Sequence, residues 1–515
     1  MAAGASTEDN IDRVIARADS KPASATKGFH IVHHTVYGPM TAGVPSTDAA
    51  METASTVSVR YQPKSRALRG YMLFYGIASL GIALFLGSVT GILLPLHVQQ
   101  LEFAHLFSGI DAHLNLQTLN ELKTQVDAGL LEPTADQHRL LGLLAQFNSA
   151  RASSLSLVTS VGMFTTMLIQ PVVGMLSDLT RSKWGRRVPW IAAGAVVGAA
   201  LAALLPASPT IAILVIVWSL AQLVVSIAQG PLLTTVVDRV PKSRIGAASA
   251  VTGLIAFLGA IGGSLLAGSL FAAMGLAAYL PIALMLVLTV LSFVLFARDR
   301  SSAKLAVEPL RIRTFFDSYV RAFADRDFRW AWIAKVLLYI GFGIVNVYTI
   351  YMLQSYVTPA LSASQALQIA PLMSFASLPP ALIGMVLSGR WSDKIGRRKP
   401  FVIVSSVIMA LAFLIPLAWP TLAALFVAVA VAGFGMGTFV VVDQALFIEL
   451  LPDPESTGRD LGVATLGGNL GQAIGPALAG GVVVSAGGNY GAVWPVAFIV
   501  ALAAGFAIIP IKRVR

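Results

Sequence analysis

Cysteine is absent from this chain of 515 residues. Disulfides, thiolate metal sites and cysteine nucleophiles are thereby excluded. Charge is scarce as well. Asp, Glu, Lys and Arg make up 12% of the residues, about half the share usual in a soluble domain. No Gly-x-x-x-x-Gly-Lys-Ser/Thr loop occurs, so the chain has no Walker-type phosphate cradle with which to drive a pump directly from ATP. No catalytic triad or metal cluster is supported, and neither an enzymatic activity nor a cofactor is expected. Residues 1 to 60 are polar and rich in Ala, Ser and Thr, and they lack the apolar core of a cleavable signal peptide. His30, His33 and His34 cluster in this arm. With no cysteine and no folded scaffold beside them, no metal site is assigned.

What the chain does hold is apolar residue in long blocks. Apolar residues are 56% of the total, and the mean hydropathy is +0.76. A membrane-crossing helix needs about 20 apolar residues, and windows of that kind recur from Leu73 to Pro510. They predict an all-α polytopic membrane protein of twelve transmembrane helices. In the first half the spans are Tyr71–His97, Ala152–Leu176, Pro189–Leu205, Ile211–Val237, Ile245–Met274 and Ala277–Ala297. In the second they are Trp330–Tyr356, Ala366–Leu387, Phe401–Ala418, Leu422–Leu450, Leu461–Val484 and Ala492–Ile511. The domain organisation that follows is a disordered arm over 1–65, a six-helix bundle over 66–297, a charged linker over 298–329, and a second six-helix bundle over 330–515.

The net charge of +11 invites a nucleic-acid partner, but the basic residues sit in short loops between apolar blocks, where they encode topology. With the N-terminus on the cytoplasmic side, the even-to-odd loops, both termini and the linker hold 32 of the 36 Lys and Arg. Three more, Lys123, Arg139 and Arg151, lie in the loop after helix 1. Both termini are therefore expected in the cytoplasm, in a plasma or inner membrane. The loop 98–151 is unusually long and carries six acidic residues. Its stretches 113–127 and 136–148 have the pattern of amphipathic surface helices. A solvated cap is the simple reading; a gate over the outer vestibule or a partner site is the functional one.

The two halves repeat each other. After helix 2 the chain reads Gly174-Met-Leu-Ser-Asp178-Leu-Thr-Arg-Ser-Lys-Trp-Gly185-Arg-Arg187-Val-Pro189, and after helix 8 it reads Gly389-Arg-Trp-Ser-Asp393-Lys-Ile-Gly396-Arg-Arg398-Lys-Pro400. Gly185 precedes Asp238 by 53 residues, and Gly396 precedes Glu449 by 53 again. Two motifs at one spacing imply a duplicated, pseudo-symmetric six-plus-six bundle with a substrate site near the midplane. Asp178, Arg186, Arg187 and Asp238, with Asp393, Arg397, Arg398 and Glu449, are expected to form latches. These would hold the inner faces of the halves together and break when the cavity opens inward. Charges that only set topology are the plainer reading.

These loops resemble those of the major facilitator superfamily, over residues 70–511. The longer first loop, Ser-Asp-x-Thr-Arg-Ser-Lys-Trp-Gly-Arg-Arg-x-Pro, is similar to that of the glycoside-pentoside-hexuronide symporters and the related sucrose transporters. The resemblance implies alternating-access transport of a small solute, often a sugar, coupled to a cation. Asp178, Arg186, Arg187, Asp393, Arg397 and Arg398 match its gating positions. The chain also departs from these relatives. It has no acid in helices 1 and 2, and none in helix 4 before Asp238, so a sodium site of their kind is not expected.

Ionisable groups in hydrocarbon are costly and are functional candidates by default. Away from helix ends there are two, Lys335 in helix 7 and Asp443 in helix 10. They lie at similar depth on helices that the resemblance places along the cavity. An ion pair that breaks or changes protonation during transport makes them the proton-coupling candidates; snorkelling of Lys335 and a static pair are the alternatives. Gln222 and Gln229 of helix 4 share a face. With Tyr339, Asn346 and Tyr351 of helix 7, and Asn469 and Gln472 of helix 11, they supply the amides and rings that a neutral, hydroxyl-rich ligand needs. Each alone reads equally as a helix-packing hydrogen bond. Gly259, Gly262, Gly263 and Gly268 in helix 5, and Gly471, Gly475, Gly480 and Gly481 in helix 11, read as close packing. A Gly-Pro pattern similar to that of drug antiporters stands in helix 11 rather than helix 5.

The function expected from the whole is proton-coupled uptake of a sugar or glycoside. Proton-coupled efflux of a drug, lipid or metabolite is the alternative, and a non-transporting receptor or scaffold the third. The partners implied are a small-molecule substrate, the coupling proton and the lipid bilayer, with no nucleic acid.

Overall fold

The computed structural model of the protein describes residues 65–241, 245–297, 301–303, 323–450 and 457–513. The N-terminal arm with its histidine cluster, and most of the linker, lie outside the described residues.

Among the described residues the protein is an all-α polytopic membrane fold, with twelve long helices running back and forth. Helix 1 is Ser65–Ser88, a π-helical turn Val89–Leu93, and Leu94–Leu106. The wide turn stands just before Pro95, whose ring cannot donate to the residue four back and would clash with its carbonyl. Helices 2 to 6 are Ala135–Leu179, Val188–Leu204, Ile211–Arg239, Ile245–Met274 and Tyr279–Phe296. Helix 7 is Arg326–Asn346 followed by the short Thr349–Ser355. Helices 8 to 12 are Ala363–Ile395, Lys399–Ala418, Leu422–Leu450, Thr457–Ser485 and Val493–Ala507. Side chains such as Leu284, Leu288 and Leu295 stand out from helix 6, about 60% exposed. That surface suits hydrocarbon, because the helices satisfy their backbone groups internally.

The long loop is shorter than the sequence suggests. Helix 1 continues to Leu106 and helix 2 begins at Ala135, which leaves 107–134 between them. The second amphipathic stretch is not a separate surface helix but the first turns of helix 2. A capping box starts it, with Thr134 Oγ1 accepting from the Gln137 amide and Gln137 Oε1 from the Thr134 amide. The first stretch does form its own helix, Leu116–Asp127. Phe107, Leu119, Leu144 and Phe147 make a small apolar core beneath it. Arg139 is bound to Asp111 at 2.6 Å, and these bonds hold the Asp111 carboxyl below its ordinary pKa.

Packing repeats with the sequence. Helix 1 packs on 5 and 6, helix 2 on 4, and helix 3 on 4 and 6; helix 7 packs on 11 and 12, helix 8 on 10, and helix 9 on 10 and 12. Each pair in the first half recurs six helices later. Two further pairs join the halves, helix 2 with 11 and helix 5 with 8, and these too map onto each other. Small residues allow the close pairs. A Cβ on Gly263 would stand 2.1 Å from the Leu84 carbonyl oxygen, and one on Gly437 2.1 Å from that of Ala381.

Candidate functional site

Two ends of the bundle must be distinguished. One carries the repeated basic loops and is called the basic end; the other carries the segment 107–134 and is called the long-loop end.

At the basic end the repeated motif is a turn and a cap. Gly185 and Gly396 sit at φ +98° and +66°, in the left-handed region where a side chain is strained. Pro189 and Pro400 occupy the first turns of helices 3 and 9, where no amide donor is needed. The arginines between them turn back onto acids. Asp238 Oδ2 accepts from Arg186 at 3.0 Å and from Arg187 at 2.8 Å, and both arginines lie within 3.5 Å of Asp178. Burial pulls the Arg187 guanidinium below its ordinary value, against the attraction of Asp238. In the second half Arg398 is 2.7 Å from Asp393 and 3.1 Å from Glu449. Arg397 is exposed and pairs with none of the described acids.

Among the described residues these clusters make no ion pair between the halves. Asp178, Arg186, Arg187 and Asp238 all belong to the first half, and Asp393, Arg398 and Glu449 all to the second, so each set ties a loop to a helix end within its own bundle. The reason is in the spacing: 53 residues run from motif glycine to acid inside one half, and the same vector recurs inside the other.

In the second half Lys335 and Asp443 meet. Nζ of Lys335 donates to Asp443 Oδ2 at 2.7 Å, and their side chains are 13% and 6% exposed. The ammonium also stands 5.0 Å over the Phe447 ring, a favourable position for a cation. Tyr339, one turn on, packs edge-on against Phe439 and beside Gly468 and Gly471 of helix 11. Gln472 turns its amide to the Gly468 carbonyl at 3.5 Å, and Asn469 is half-buried nearby in sequence. Helices 7, 10 and 11 thus place Lys335, Asp443, Tyr339 and Gln472 in one region.

The other polar candidates are dispersed. Gln222 is buried between helices 4 and 2, with Nε2 on the Met163 sulfur at 3.3 Å and Oε1 without a partner. Gln229 is half-buried. Asn346 is exposed and bonded to the Phe342 carbonyl four residues back. Tyr351 is fully buried and donates to the Pro95 carbonyl of helix 1 at 2.7 Å, so it belongs to the contact between the halves.

That contact gathers at the long-loop end. Tyr348 donates to the Ala152 carbonyl at 2.9 Å and also meets the Ser156 hydroxyl. Ser156 reaches the Pro476 carbonyl at 2.7 Å, and Tyr490 the Asn148 carbonyl at 3.0 Å. Gly480 faces Ser156 so closely that a Cβ would lie 2.4 Å from its oxygen. Arg151 sits among these groups, 1% exposed. Sequence reasoning placed Arg151 in a loop and passed over Ser156, Tyr348 and Tyr490. A lone basic residue at the edge of an apolar block was the one signal available.

The sequence profile of the Major Facilitator Superfamily matches residues 140–379 and 331–513, and the chain belongs to that superfamily. It is therefore a membrane transporter of the superfamily's twelve-helix kind. Among solved structures the nucleoside transporter NupG aligns with TM-score 0.62 and 15% identity, over 86% of this chain and 98% of that one. A mutant form of it gives 0.64 and 16%, over 86% and 99%. A bacterial homolog of the human lysosomal transporter Spinster, inward-facing and unoccupied, gives 0.58 and 12%, over 86% and 94%. At such identities the likeness is one of fold. A stretch of 57 residues is 37% identical to the uncharacterized symporter sll1374 of Synechocystis sp., taking in 11% of this chain and 10% of that protein.

Proposed function

We propose that the protein imports a neutral, hydroxyl-bearing solute, a sugar or glycoside, together with protons, by alternating access between its two six-helix halves. The observation that carries this is the buried Lys335–Asp443 pair at 2.7 Å. A carboxylate held in hydrocarbon by one ammonium has two stable conditions, paired and ionised or released and protonated. Exchange between them moves a proton, and an amide-and-ring neighbourhood of Tyr339 and Gln472 lies beside it. Nucleosides, the solutes for which NupG is named, are N-glycosides and fall within the same chemistry.

The basic loops face the cytoplasm under the positive-inside bias, in a cell or inner membrane. The long-loop end is then the outer end, and its contacts between the halves support the reading of an inward-facing state. Asp178, Arg186, Arg187 and Asp238, with Asp393, Arg398 and Glu449, act in gating by stiffening the inner loops of each half as they rock. Arg397 is left as an exposed cation of the inner surface.

The test is uptake into proteoliposomes of labelled sucrose, maltose, monosaccharides and a nucleoside, with and without an inward proton gradient. Gradient-stimulated accumulation of one of them is expected, and Asp443→Asn is expected to abolish the stimulation. Accumulation that Asp443→Asn leaves unchanged removes the pair from coupling. No uptake by folded protein turns the assignment to proton-coupled efflux of an apolar or amphiphilic solute.

A further inference from the structure

Arg151 is a buried cation that no carboxylate among the described residues holds. Its side chain, on helix 2, has no described acid within ion-pair distance, and its contacts come from both halves. Nε donates to the Tyr490 hydroxyl at 3.0 Å. One terminal nitrogen donates to the Gln99 and Gln354 amide oxygens, each at 3.2 Å. The other donates to the Ser355 hydroxyl at 2.6 Å. Three rings flank the guanidinium, Tyr351 at 4.4 Å, Phe147 at 4.9 Å and Tyr490 at 5.3 Å. Gln99 and Phe147 belong to the first half; Gln354, Ser355, Tyr351 and Tyr490 belong to the second.

We propose that Arg151 is the bolt of the gate at the long-loop end, a positioning residue whose insertion among neutral oxygens and aromatic faces of the second half closes the pathway there. The chemistry suits a contact made and broken in every cycle. A buried carboxylate partner would hold the guanidinium in a fixed ion pair, and parting the two would strand both charges. Amide and hydroxyl oxygens can instead be replaced by water, and a guanidinium is the less strongly hydrated of the two basic side chains. Water is close at hand. Gln99 and Gln354, which accept from Arg151, also line a cavity of about 710 Å³ that opens between the halves beside Asn115 and Asn120. The buried Nε2 of Gln354 has no partner among the described residues, so the amide keeps a free donor while its oxygen accepts from Arg151. Glu102, the nearest acid on helix 1, is occupied by the Ser154 hydroxyl at 2.5 Å.

The proposal rests on the alternating-access reading, and one experiment separates the two. The chain has no cysteine, so His138→Cys and Ser364→Cys, exposed positions on opposite halves at this end, can carry a pair of spin labels without further engineering. Distances between them are measured by double electron–electron resonance in nanodiscs. Arg151→Met is expected to raise the ratio of long to short distances at least tenfold, about 1.4 kcal/mol. Gly480→Leu, which wedges helix 11 from Ser156, is expected to lengthen them regardless of Arg151. If Gly480→Leu opens this end and Arg151→Met leaves the distribution unchanged, rocking stands and the bolt is overturned. If neither variant changes it, the rocking reading falls as well. Should Arg151→Met fail to fold, Tyr490→Phe with Gln354→Leu strips two of the bonds and leaves the cation; a smaller shift in the same direction is expected, and no shift overturns the proposal.

Discussion

Lys335 and Asp443 are separated by 108 residues and joined by one hydrogen bond of 2.7 Å. Breaking a buried pair from one side leaves a charge without a partner, at about 3–5 kcal/mol, whereas removing both with apolar groups is often near neutral. Lys335→Met is therefore expected to lower the thermal midpoint sharply, and Lys335→Met with Asp443→Leu to recover most of the loss. Thermal unfolding of purified protein followed by circular dichroism checks this; equal losses in the single and double variants would show that the pair is not what each residue interacts with. Both residues were legible in the sequence as candidates, since ionisable groups inside apolar blocks are rare. Arg151 was not. It stands where an amphipathic stretch runs into an apolar one, and that junction reads as a loop unless the helix is known to continue through it. Tyr348 and Tyr490 were hidden for another reason: an aromatic ring in an apolar run is indistinguishable from core until its hydroxyl finds a carbonyl.

At the scale of the element, the start of helix 10 was legible to the residue, Leu422, because the apolar run begins there. Helix 2 was not, since its first 17 residues, from Ala135 to Arg151, are helical for reasons of capping and amphipathic packing rather than lipid contact. The motif loops were legible as a pattern but not in their connections. Gly185 and Gly396 occupy left-handed backbone, which costs a residue with a Cβ about 1–2 kcal/mol. Gly396→Ala is thus expected to lower stability by that amount in a denaturant titration, and Gly389→Ala, whose added Cβ would meet only Val441 at 3.4 Å, by much less. The tie between Asp111 and Arg139 gives a pH signature. Its carboxyl is lowered in the folded state by the Arg139 hydrogen bonds, so its contribution is fully present above the unfolded carboxyl value, about 3.9. It fades as pH falls below that. Limited proteolysis between 107 and 134 is expected to accelerate only on that acidic side, and Asp111→Asn to remove the dependence.

Over the whole molecule, the duplication explains more than the helix count. Gly480 of helix 11 faces Ser156 of helix 2, and Gly268 of helix 5 faces the Leu367 carbonyl of helix 8 at 3.1 Å from a built Cβ. The two glycines are 212 residues apart, within one residue of the 211 that separate Asp238 from Glu449. Each half thus offers the other the same kind of flat surface. A Cβ on Gly480 would be 2.8 Å from that of Ser156, so helices 2 and 11 must part by about 1 Å to reach the span of a disulfide, about 3.5–4.5 Å. Ser156→Cys with Gly480→Cys is expected to cross-link on mild oxidation, to stop transport, and to release it on reduction. Transport that continues through the cross-link would mean that the halves do not part here.

Helix 2 has one further property, its length. From Ala145, where Gly488 of the second half meets helix 2, back to Ala135 are 10 residues of continuous helix, about 15 Å at 1.5 Å per residue. The first bundle therefore carries a stiff rod that is held in the seam from Ala145 to Ser156 and whose tip stands beyond it. A rotation of about 15°, the size rigid bodies make in other proteins, swings that tip by about 4 Å. Rearrangements around the seam thereby displace the tip, and, in the orientation proposed above, a binder raised against it from outside the cell is expected to sense, or fix, which way the transporter faces.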